Sequence, residues 1–474
     1  MTKGDSKIDR VLILGGGESG VGAALLAKRC GMSPLVSDNG TLQTKFREEL
    51  EAHKLPFEEG KHTEKALQWG QVVVKSPGIP EDLPMIVELR KKGISVISEI
   101  EFAYQCLPKL QKEAKRSDSN RSLIVGITGS NGKTTSVTWL HFILSKAGYN
   151  VGLCGNVGRS FARLLAEEPL YDIYVIELSS FQLDGIVNFR PDIGILLNIT
   201  PDHLDRYHHH LEEYAASKMR IAENMDANSS FIFWADDPII PNRIPENAPY
   251  YVAPFSTSSA TYDYSSAYCD SNALHFLAFD DERHFSIARS QVALPGIHNM
   301  RNAMAVSLAA IELGITEEDL RYGLKHFTNV PHRMEFVADI EGVHYINDSK
   351  ATNIDSAHYA LDSQTRPVVL ILGGTDKGND YNEIAPLVKQ HCRALIFLGV
   401  DNRKLHATFD SMIPVIEEAR SMKECVTKAS QLAQEGDVVL LSPCCASFDL
   451  FSNYEDRGDQ FKEEVAKLSQ RKRG

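Results

Sequence analysis

The chain has 474 residues, 43% of them hydrophobic and 24% charged. At roughly 100 to 200 residues per domain that length calls for about three domains, and the composition is globular, neither disordered nor fibrous. Fifty Lys and Arg against 63 Asp and Glu leave a net charge of −13, which argues against an electrostatic grip on nucleic acid or on an anionic membrane surface.

The opening MTKGDSKIDRVLILGGGESG passes from a short polar tail straight into a strand. No apolar run approaches the roughly 18 residues that a membrane span needs. Eight Cys are scattered, with no CxxC pair and one vicinal pair at Cys444 and Cys445. That spacing suggests neither a zinc framework nor a disulfide ladder, and a reducing cytoplasm fits it best.

In chain order, VLILG at 11–15, a helix through VGAALLAKRC, PLVSD near 38, VVVKS near 74 and VISEI near 98 predict an α/β unit with a parallel sheet. The charged stretch QKEAKRSDSNRS, 111–122, reads as a linker or solvated helix end. A second α/β unit opens with SLIVGIT, continues through the helix TTSVTWLHFILSKAG, and adds the strands YDIYVIEL and DIGILLNIT. Between 230 and 292 the texture turns aromatic and β-branched, as in YYVAPF and HFSIAR, which predicts an antiparallel extension. A helix from Asn299 through Ile311 closes this unit. Beyond Pro331, PVVLILGG, ALIFLGV and DVVLLSP predict the buried strands of a third α/β unit. The resulting domains are 1–118, 119–330 and 331–474, the first and third Rossmann-like and the second like a P-loop ATPase.

Two glycine-rich turns carry the first chemical signals. Gly15-Gly16-Gly17-Glu18-Ser19-Gly20 satisfies G-x-G-x-x-G between a strand and a helix, with Asp38 at the end of the next strand. Glycines let a backbone approach a pyrophosphate at a helix N-terminus, and the acid can take ribose hydroxyls, so a UDP-sugar fits as well as NAD. A bare strand-to-helix turn would read the same way. The second turn, Thr128-Gly129-Ser130-Asn131-Gly132-Lys133-Thr134-Thr135, is a sharper phosphate-binding signal. Its backbone N–H groups can surround phosphate oxygens, Lys133 can reach the β and γ phosphates, and Thr134 can ligate Mg²⁺. It departs from the full Walker pattern, because Ile127 stands where the first Gly is expected.

Glu177 ends the strand YVIEL, where a carboxylate can project toward a metal at a neighbouring loop. Asp202, His203 and Asp205 follow the next strand in ITPDHLDRYHHH. Alone, His203 reads more simply as a satisfied loop histidine, and the run His208–His210 as solvated loop. Leu211, Ala215, Lys218, Ala222 and Met225 are spaced by four and three, which places Lys218 on the apolar stripe of a helix. Three readings stay open for it: a snorkelling stem, a lysine neutralised by a carboxylate, or a carbamate formed with CO₂. In the third unit Asn347–Asn353, Gly373–Lys377 and Ser442–Asp449 follow predicted strands, and such loops line the crevice of an open sheet.

TGSNGKTT, ELSSFQ, TPDHLDRY, LPGIHNMRNAMA, PHRME, NDSKATN, GGTDK and SPCCASFDLF, in this order, resemble the Mur ligases over nearly the whole chain. In the first domain the match rests mainly on the glycine turn and Lys75-Ser76-Pro77-Gly78-Ile79. The resemblance implies a cytoplasmic enzyme, expected as a monomer, that uses ATP and two Mg²⁺ ions to join D-glutamate to the alanyl carboxylate of UDP-N-acetylmuramoyl-L-alanine. Activation would proceed through an acyl phosphate.

It further implies that the 129–135 loop holds ATP phosphates, that Thr134 and Glu177 hold one Mg²⁺, and that His203 and carbamylated Lys218 hold the other. Asn302, Arg333 and Asp348 would fix the adenine nucleotide. Ser19, Asp38, Ser76, Gly78, Asn156 and Gln182 would receive the UDP-sugar, and Lys350, Thr352, Lys377, Ser447 and Tyr454 the D-glutamate. The resemblance also implies that the third domain closes before chemistry. A folylpolyglutamate synthase-like ligase is the nearest alternative, and the glycine-rich first domain with SSFQ favours a UDP-linked acceptor. An NAD-dependent oxidoreductase leaves the second phosphate loop unused, a nucleic-acid motor lacks a basic stripe, and a non-enzymatic nucleotide-binding scaffold is a fourth reading.

Overall fold

The computed structural model describes residues 8–202, 204–258, 266–277, 284–376 and 378–473. Of these, the residues up to Val292, together with Arg301–His326, form one compact unit; Ala293–Met300 with the described residues from Phe327 on form a second.

The larger unit contains two sheets. The first is built from β1 (Arg10–Leu14), β2 (Ser33–Ser37), β3 (Phe57–Glu58), β4 (Val72–Lys75) and β5 (Ser95–Ser98), in the order β3-β2-β1-β4-β5. All its pairings are parallel. The near-continuous apolar runs predicted this, since a sheet covered on both faces has no polar side to alternate with; Val11 through Leu14 are fully buried. The order reverses at β1, so the turn Gly15–Gly17 opens on a crevice at the carboxyl edge. One predicted boundary shifts. VISEI is strand only through Ser98, whose hydroxyl accepts the Glu101 N–H at 3.3 Å and caps the helix Glu99–Glu113. A Ser followed by acids at the first turn is a helix start, and this overrides the apolar residues around it.

The second sheet comprises β6 (Leu123–Thr128), β7 (Val151–Gly155), β8 (Ile173–Glu177), β9 (Ile193–Leu196), β10 (Ser230–Trp234), β11 (Tyr251–Ser256), β12 (Ser266–Cys269), β13 (Ala273–Leu277) and β14 (His284–Ala288). Its order is β14-β13-β12-β11-β10-β9-β6-β8-β7. The predicted antiparallel extension is confined to its outer part. β10 pairs parallel to β9, and β11, which contains most of YYVAPF, pairs parallel to β10; only β12–β14 form antiparallel ladders. Aromatic and β-branched residues suit either pairing. The connection permits the parallel arrangement: Ala235–Tyr250 is long enough to cross over and return.

The two sheets are joined by a helical seam. The helix Phe161–Glu167 of the second module lies along the helix Glu18–Arg29 of the first, which satisfies both of its ends. The Glu18 carboxylate accepts from the Ser160 N–H at 3.1 Å and from Arg163 Nε at 2.8 Å. At the other end Arg29 donates to the carbonyls of Leu165 and Ala166 at 2.6 and 3.1 Å. An acid at the N-terminus and a base at the C-terminus complement the helix dipole and its orphan groups. Gly22 permits the close approach: a Cβ there would lie 2.3 Å from Ser160 Oγ and 2.9 Å from Arg163 Cβ.

The second unit carries β15 (Glu335–Ile340), β16 (Val343–Asn347), β17 (Val368–Leu372), β18 (Cys392–Leu398), β19 (Ile416–Ala419) and β20 (Val438–Leu441), in the order β15-β16-β20-β17-β18-β19. Only β15–β16 is antiparallel. The three predicted runs are β17, β18 and β20, each with a fully or almost fully buried apolar stretch.

Candidate active site

β6 is flanked by β8 and β9, all three parallel, so the loops that follow them emerge at one edge. After β6, Gly129 (φ 154°) and Gly132 (φ 86°) adopt backbone conformations that L side chains rarely take, and Gly132 caps the helix Lys133–Lys146. The loop is braced from the β9 side. Asn198 Oδ1 accepts the Asn131 N–H at 2.9 Å, Asn198 Nδ2 donates to the Asn131 carbonyl at 3.0 Å, and Ser130 Oγ donates to the Thr200 carbonyl at 2.9 Å. Tyr214 places its hydroxyl 3.2 Å from Ser130 Oγ. Lys133 Nζ folds back on the loop, donating to the carbonyls of Gly129 and Ser130 at 2.7 and 2.8 Å. Thr134 and Thr135 are buried in the first helical turn, and the Asn302 side chain lies over Gly132, where a Cβ would come within 2.6 Å of its Oδ1.

Glu177 stands at the end of β8 as expected, and is 2% exposed. Its Oε1 accepts from Asn156 Nδ2 at 2.9 Å, while Oε2 is buried without a partner among the described residues. A carboxylate oxygen left bare in this way is the kind of group that a hard cation satisfies.

Lys218 settles one of its three readings. At 1% exposure its ammonium does not snorkel: Nζ donates to the Gly129 carbonyl at 2.8 Å and lies 4.5 Å from the centre of the Tyr214 ring. Burial, reinforced by the Lys133 charge, pushes its pKa well down, against the pull of Asp202, Asp184 and Glu177. The helix itself is shorter than the stripe implied, Leu211–Met219 followed by a tight turn over Arg220–Ala222. Ala215, Ala222 and Met225 are buried with the lysine. His203 lies outside the described residues, as does Lys377. Among the described residues no group of three or more His, Cys, Asp and Glu converges.

In the first module Asp38 orders the glycine turn. Its Oδ2 accepts the Gly16 N–H at 2.6 Å and its Oδ1 the Gly40 N–H at 2.7 Å. Ser76 packs on the same turn, since a Cβ on Gly15 would meet Ser76 Oγ at 2.5 Å. Ser19 is in the first turn of the helix Glu18–Arg29, and Gly78 accepts from Arg206 at 3.3 Å. Gln182 is committed elsewhere: its Oε1 accepts the Ser179 N–H at 3.0 Å in a capping box on the short helix Ser180–Leu183.

The second unit has its own polar cluster at the carboxyl ends of β16 and β20. Asp348 is buried, accepting the Met334 N–H at 3.1 Å and the Ser442 hydroxyl at 3.0 Å. Burial raises its pKa to about 7 although Arg333 opposes the shift. His332 (φ 64°) and Met334 (φ 44°), on either side of Arg333, are in the left-handed region, a strained arrangement for such residues. Lys350 Nζ lies 5.5 Å from the centre of the Tyr454 ring. Thr352 is in the loop after Asp348, and Ser447 is buried in the loop after β20.

Three participants escaped the sequence reading. Asn198 was only part of a strand end, and Tyr214 only an aromatic on a helix. Arg457 is 1% exposed; it donates through Nε to Ser349 Oγ at 2.9 Å and through Nη2 to the carbonyls of Ser349 and Cys445 at 2.8 and 3.1 Å. Burial lowers its pKa to about 10. A signal did exist: Arg457, Phe461 and Val465 share one face of the helix Tyr454–Arg473, and the latter two are fully buried. It is the same charge-on-a-stripe pattern that exposed Lys218.

A braced glycine loop in the parallel part of a sheet, with a half-satisfied carboxylate at the next strand end, defines a P-loop type of α/β fold. Family models narrow this. They match the Mur ligase MurD-like N-terminal domain at residues 9–98, the Mur ligase middle domain at 127–310, and the Mur ligase glutamate ligase domain at 332–445. The chain belongs to the Mur ligase family. It is 49% identical over 459 residues, 97% of this chain and 98% of the relative, to the UDP-N-acetylmuramoylalanine--D-glutamate ligase of Porphyromonas gingivalis. It is 48% identical to the same-named protein of Bacteroides fragilis, covering 97% of this chain and all of the relative. Among solved structures, the MurF ligase of Thermotoga maritima in complex with ADP matches with a TM-score of 0.61 at 15% identity, over 92% of this chain and 96% of that one. A pseudomurein peptide ligase type C from Methanothermus fervidus matches with a TM-score of 0.58 at 20% identity, over 97% and 100%. At such identities these structures speak for the fold alone.

Proposed function

We propose that the chain is an ATP-dependent ligase that adds D-glutamate to UDP-N-acetylmuramoyl-L-alanine in the synthesis of peptidoglycan precursors in the cytoplasm. The observation that carries the ATP-dependent reading is the meeting, at one sheet edge, of the phosphate loop, the bare Glu177 oxygen and the buried Lys218. The names of relatives at 46–49% identity supply the acceptor and the amino acid.

A carboxylate is a poor electrophile and must be activated. Its oxygen attacks the γ-phosphorus, ADP leaves, and the acyl phosphate forms; the amine of D-glutamate then attacks the carbonyl carbon, phosphate departs, and the amine loses its proton. The N–H groups of Ser130 and Asn131 are taken up by Asn198, so it is the first turn of the helix Lys133–Lys146, with the Lys133 ammonium swung off the loop carbonyls, that would face the phosphates and offset charge that grows in transfer. Asn302 closes over the loop at Gly132.

Thr134 and Glu177 would hold one Mg²⁺, and His203 with a carbamylated Lys218 a second; bound there, the ions neutralise charge between nucleotide and acyl group. Burial favours that modification of Lys218, because the neutral amine is the form that adds to CO₂, releasing a proton. Arg333 and Asp348 would fix the nucleotide. Ser19, Asp38, Ser76, Gly78 and Asn156 would receive the UDP-sugar, with Gln182 contributing what its cap leaves free. Lys350, Thr352, Lys377, Ser447 and Tyr454 would receive D-glutamate. The boundaries near 118 and 330 separate a substrate, an ATP and an amino-acid module, in a chain we take as a monomer.

The deciding experiment is phosphate release with ATP, Mg²⁺ and UDP-N-acetylmuramoyl-L-alanine against a panel of D- and L-amino acids. Release with D-glutamate above the rest supports the reading, and no ADP formation with the full mixture refutes it.

A further inference from the structure

The carboxyl edge of the first sheet holds a second ordered cluster, one strand beyond Asp38. Ser37 ends β2, Glu58 ends β3, and His62 and Thr63 follow in the loop after β3. Ser37 Oγ donates to Glu58 Oε1 at 2.7 Å and lies 2.7 Å from His62 Nδ1. Glu58 is anchored in turn, accepting the Thr63 N–H at 2.9 Å on Oε1 and the Thr63 hydroxyl at 2.7 Å on Oε2. Burial pushes the Glu58 carboxyl up, but the hydrogen bonds from Thr63 and Ser37 outweigh it and keep the group below the usual range, ionised.

A serine hydroxyl has one proton, and here it is spent on a carboxylate that can only accept. Ser37 must therefore accept from His62, which fixes the proton on Nδ1 and leaves the lone pair on Nε2. Burial also lowers the His62 pKa against the attraction of Asp38 and Glu58, so the ring is neutral at pH 7. Nε2 has no partner among the described residues. The structure thus presents a fixed, neutral acceptor beside Asp38, whose carboxylate already orders the glycine turn.

This placement gives the edge an order. The glycine turn at a helix N-terminus suits a pyrophosphate, Asp38 suits ribose hydroxyls, and the next group outward meets the base. We propose that His62 is a specificity residue that accepts a hydrogen bond from the N3–H of the uracil ring and so selects a uridine nucleotide. Cytosine carries a lone pair at N3, and two acceptors facing each other leave both unsatisfied. The inference rests on the UDP-linked substrate proposed above.

The test is calorimetric titration of the full chain with UDP, CDP, 3-methyl-UDP and 2′-deoxy-UDP, using wild type and His62→Phe, with circular dichroism as the fold control. Wild type should bind UDP at least about tenfold more tightly than CDP or 3-methyl-UDP, from the cost of one unpaired polar group. In His62→Phe that preference should fall by about tenfold while the KM for ATP is unchanged. An unchanged preference in a folded variant overturns the proposal. So does a variant in which only the 2′-deoxy penalty disappears, which moves the contact to the ribose. Should His62→Phe fail to fold, wild type binding 3-methyl-UDP as tightly as UDP overturns it alone. Wild type that binds CDP and UDP equally sinks this inference and leaves the ligase reading intact; wild type that binds no uridine nucleotide sinks both.

Discussion

Glu99 offers a pH signature that can be worked from its surroundings. It is the first residue of its helix, 1% exposed; one oxygen accepts the Ala162 N–H at the seam and the other has no partner among the described residues. Burial, aided by the Glu18 carboxylate nearby, raises its pKa to about 8 from an ordinary 4.5. The folded chain therefore holds a proton that the unfolded chain releases between these values, so stability falls as pH rises across that window, at up to about 1.4 kcal/mol per unit. Relaxation of the seam discounts the total to roughly 2–4 kcal/mol.

Glu99→Gln removes the titration and keeps the shape, but it buries an amide nitrogen with no acceptor, which costs about 1–3 kcal/mol. The two stability curves should cross: the variant is weaker than wild type at pH 5 and stronger at pH 8.5. Urea unfolding followed by tryptophan fluorescence isolates the effect, because Trp69, Trp139 and Trp234 all belong to the larger unit. Every other titrating group is common to both proteins and cancels in the difference. Parallel curves from pH 5 to 8.5 would refute the assignment of a protonated Glu99.

Three further outcomes are expected. Gly22→Ala drives a methyl into Ser160 and Arg163 and should cost about 1–3 kcal/mol in the same assay, whereas Gly17→Ala, with nothing within 4 Å of its Cβ, should cost only about 0.5–1 kcal/mol, the penalty of an alanine at a helix N-cap. Lys133→Ala should lower ADP formation by at least about 100-fold with unchanged circular dichroism, and wild-type turnover in a folded variant would remove the phosphate-loop assignment. Lys218→Ala should lose turnover and recover part of it with added formate or acetate, since a small carboxylate can stand in for a carbamate; full activity without the additive would exclude the carbamate.

The core of each module was legible because burial on both faces writes itself as unbroken apolar runs, and β1, β4, β17 and β20 were read from these. The glycine loop after β6 was legible for a related reason, as Gly129 and Gly132 take backbone angles that L side chains rarely adopt. Lys218 was visible as an anomaly on its stripe, but its three explanations could be narrowed only once its exposure was known. Arg457 carried the same signal and was missed among the polar residues of YEDRGDQF.

What the residues determined alone was therefore whatever depends on near neighbours in the chain: strand and helix periods, glycine turns, and the motif order that identifies the family. Pairing direction in β10 and β11, the joining of the first two modules along the Phe161–Glu167 helix, the bare oxygen of Glu177 and the tautomer of His62 were decided by tertiary structure. Each depends on a partner brought from a distant part of the chain, from Ser160 to Glu18 or from His62 to Ser37. Local sequence sets which groups are available; only the packed fold sets which of them face each other and which are cut off from water, and those two conditions fix a charge or a proton.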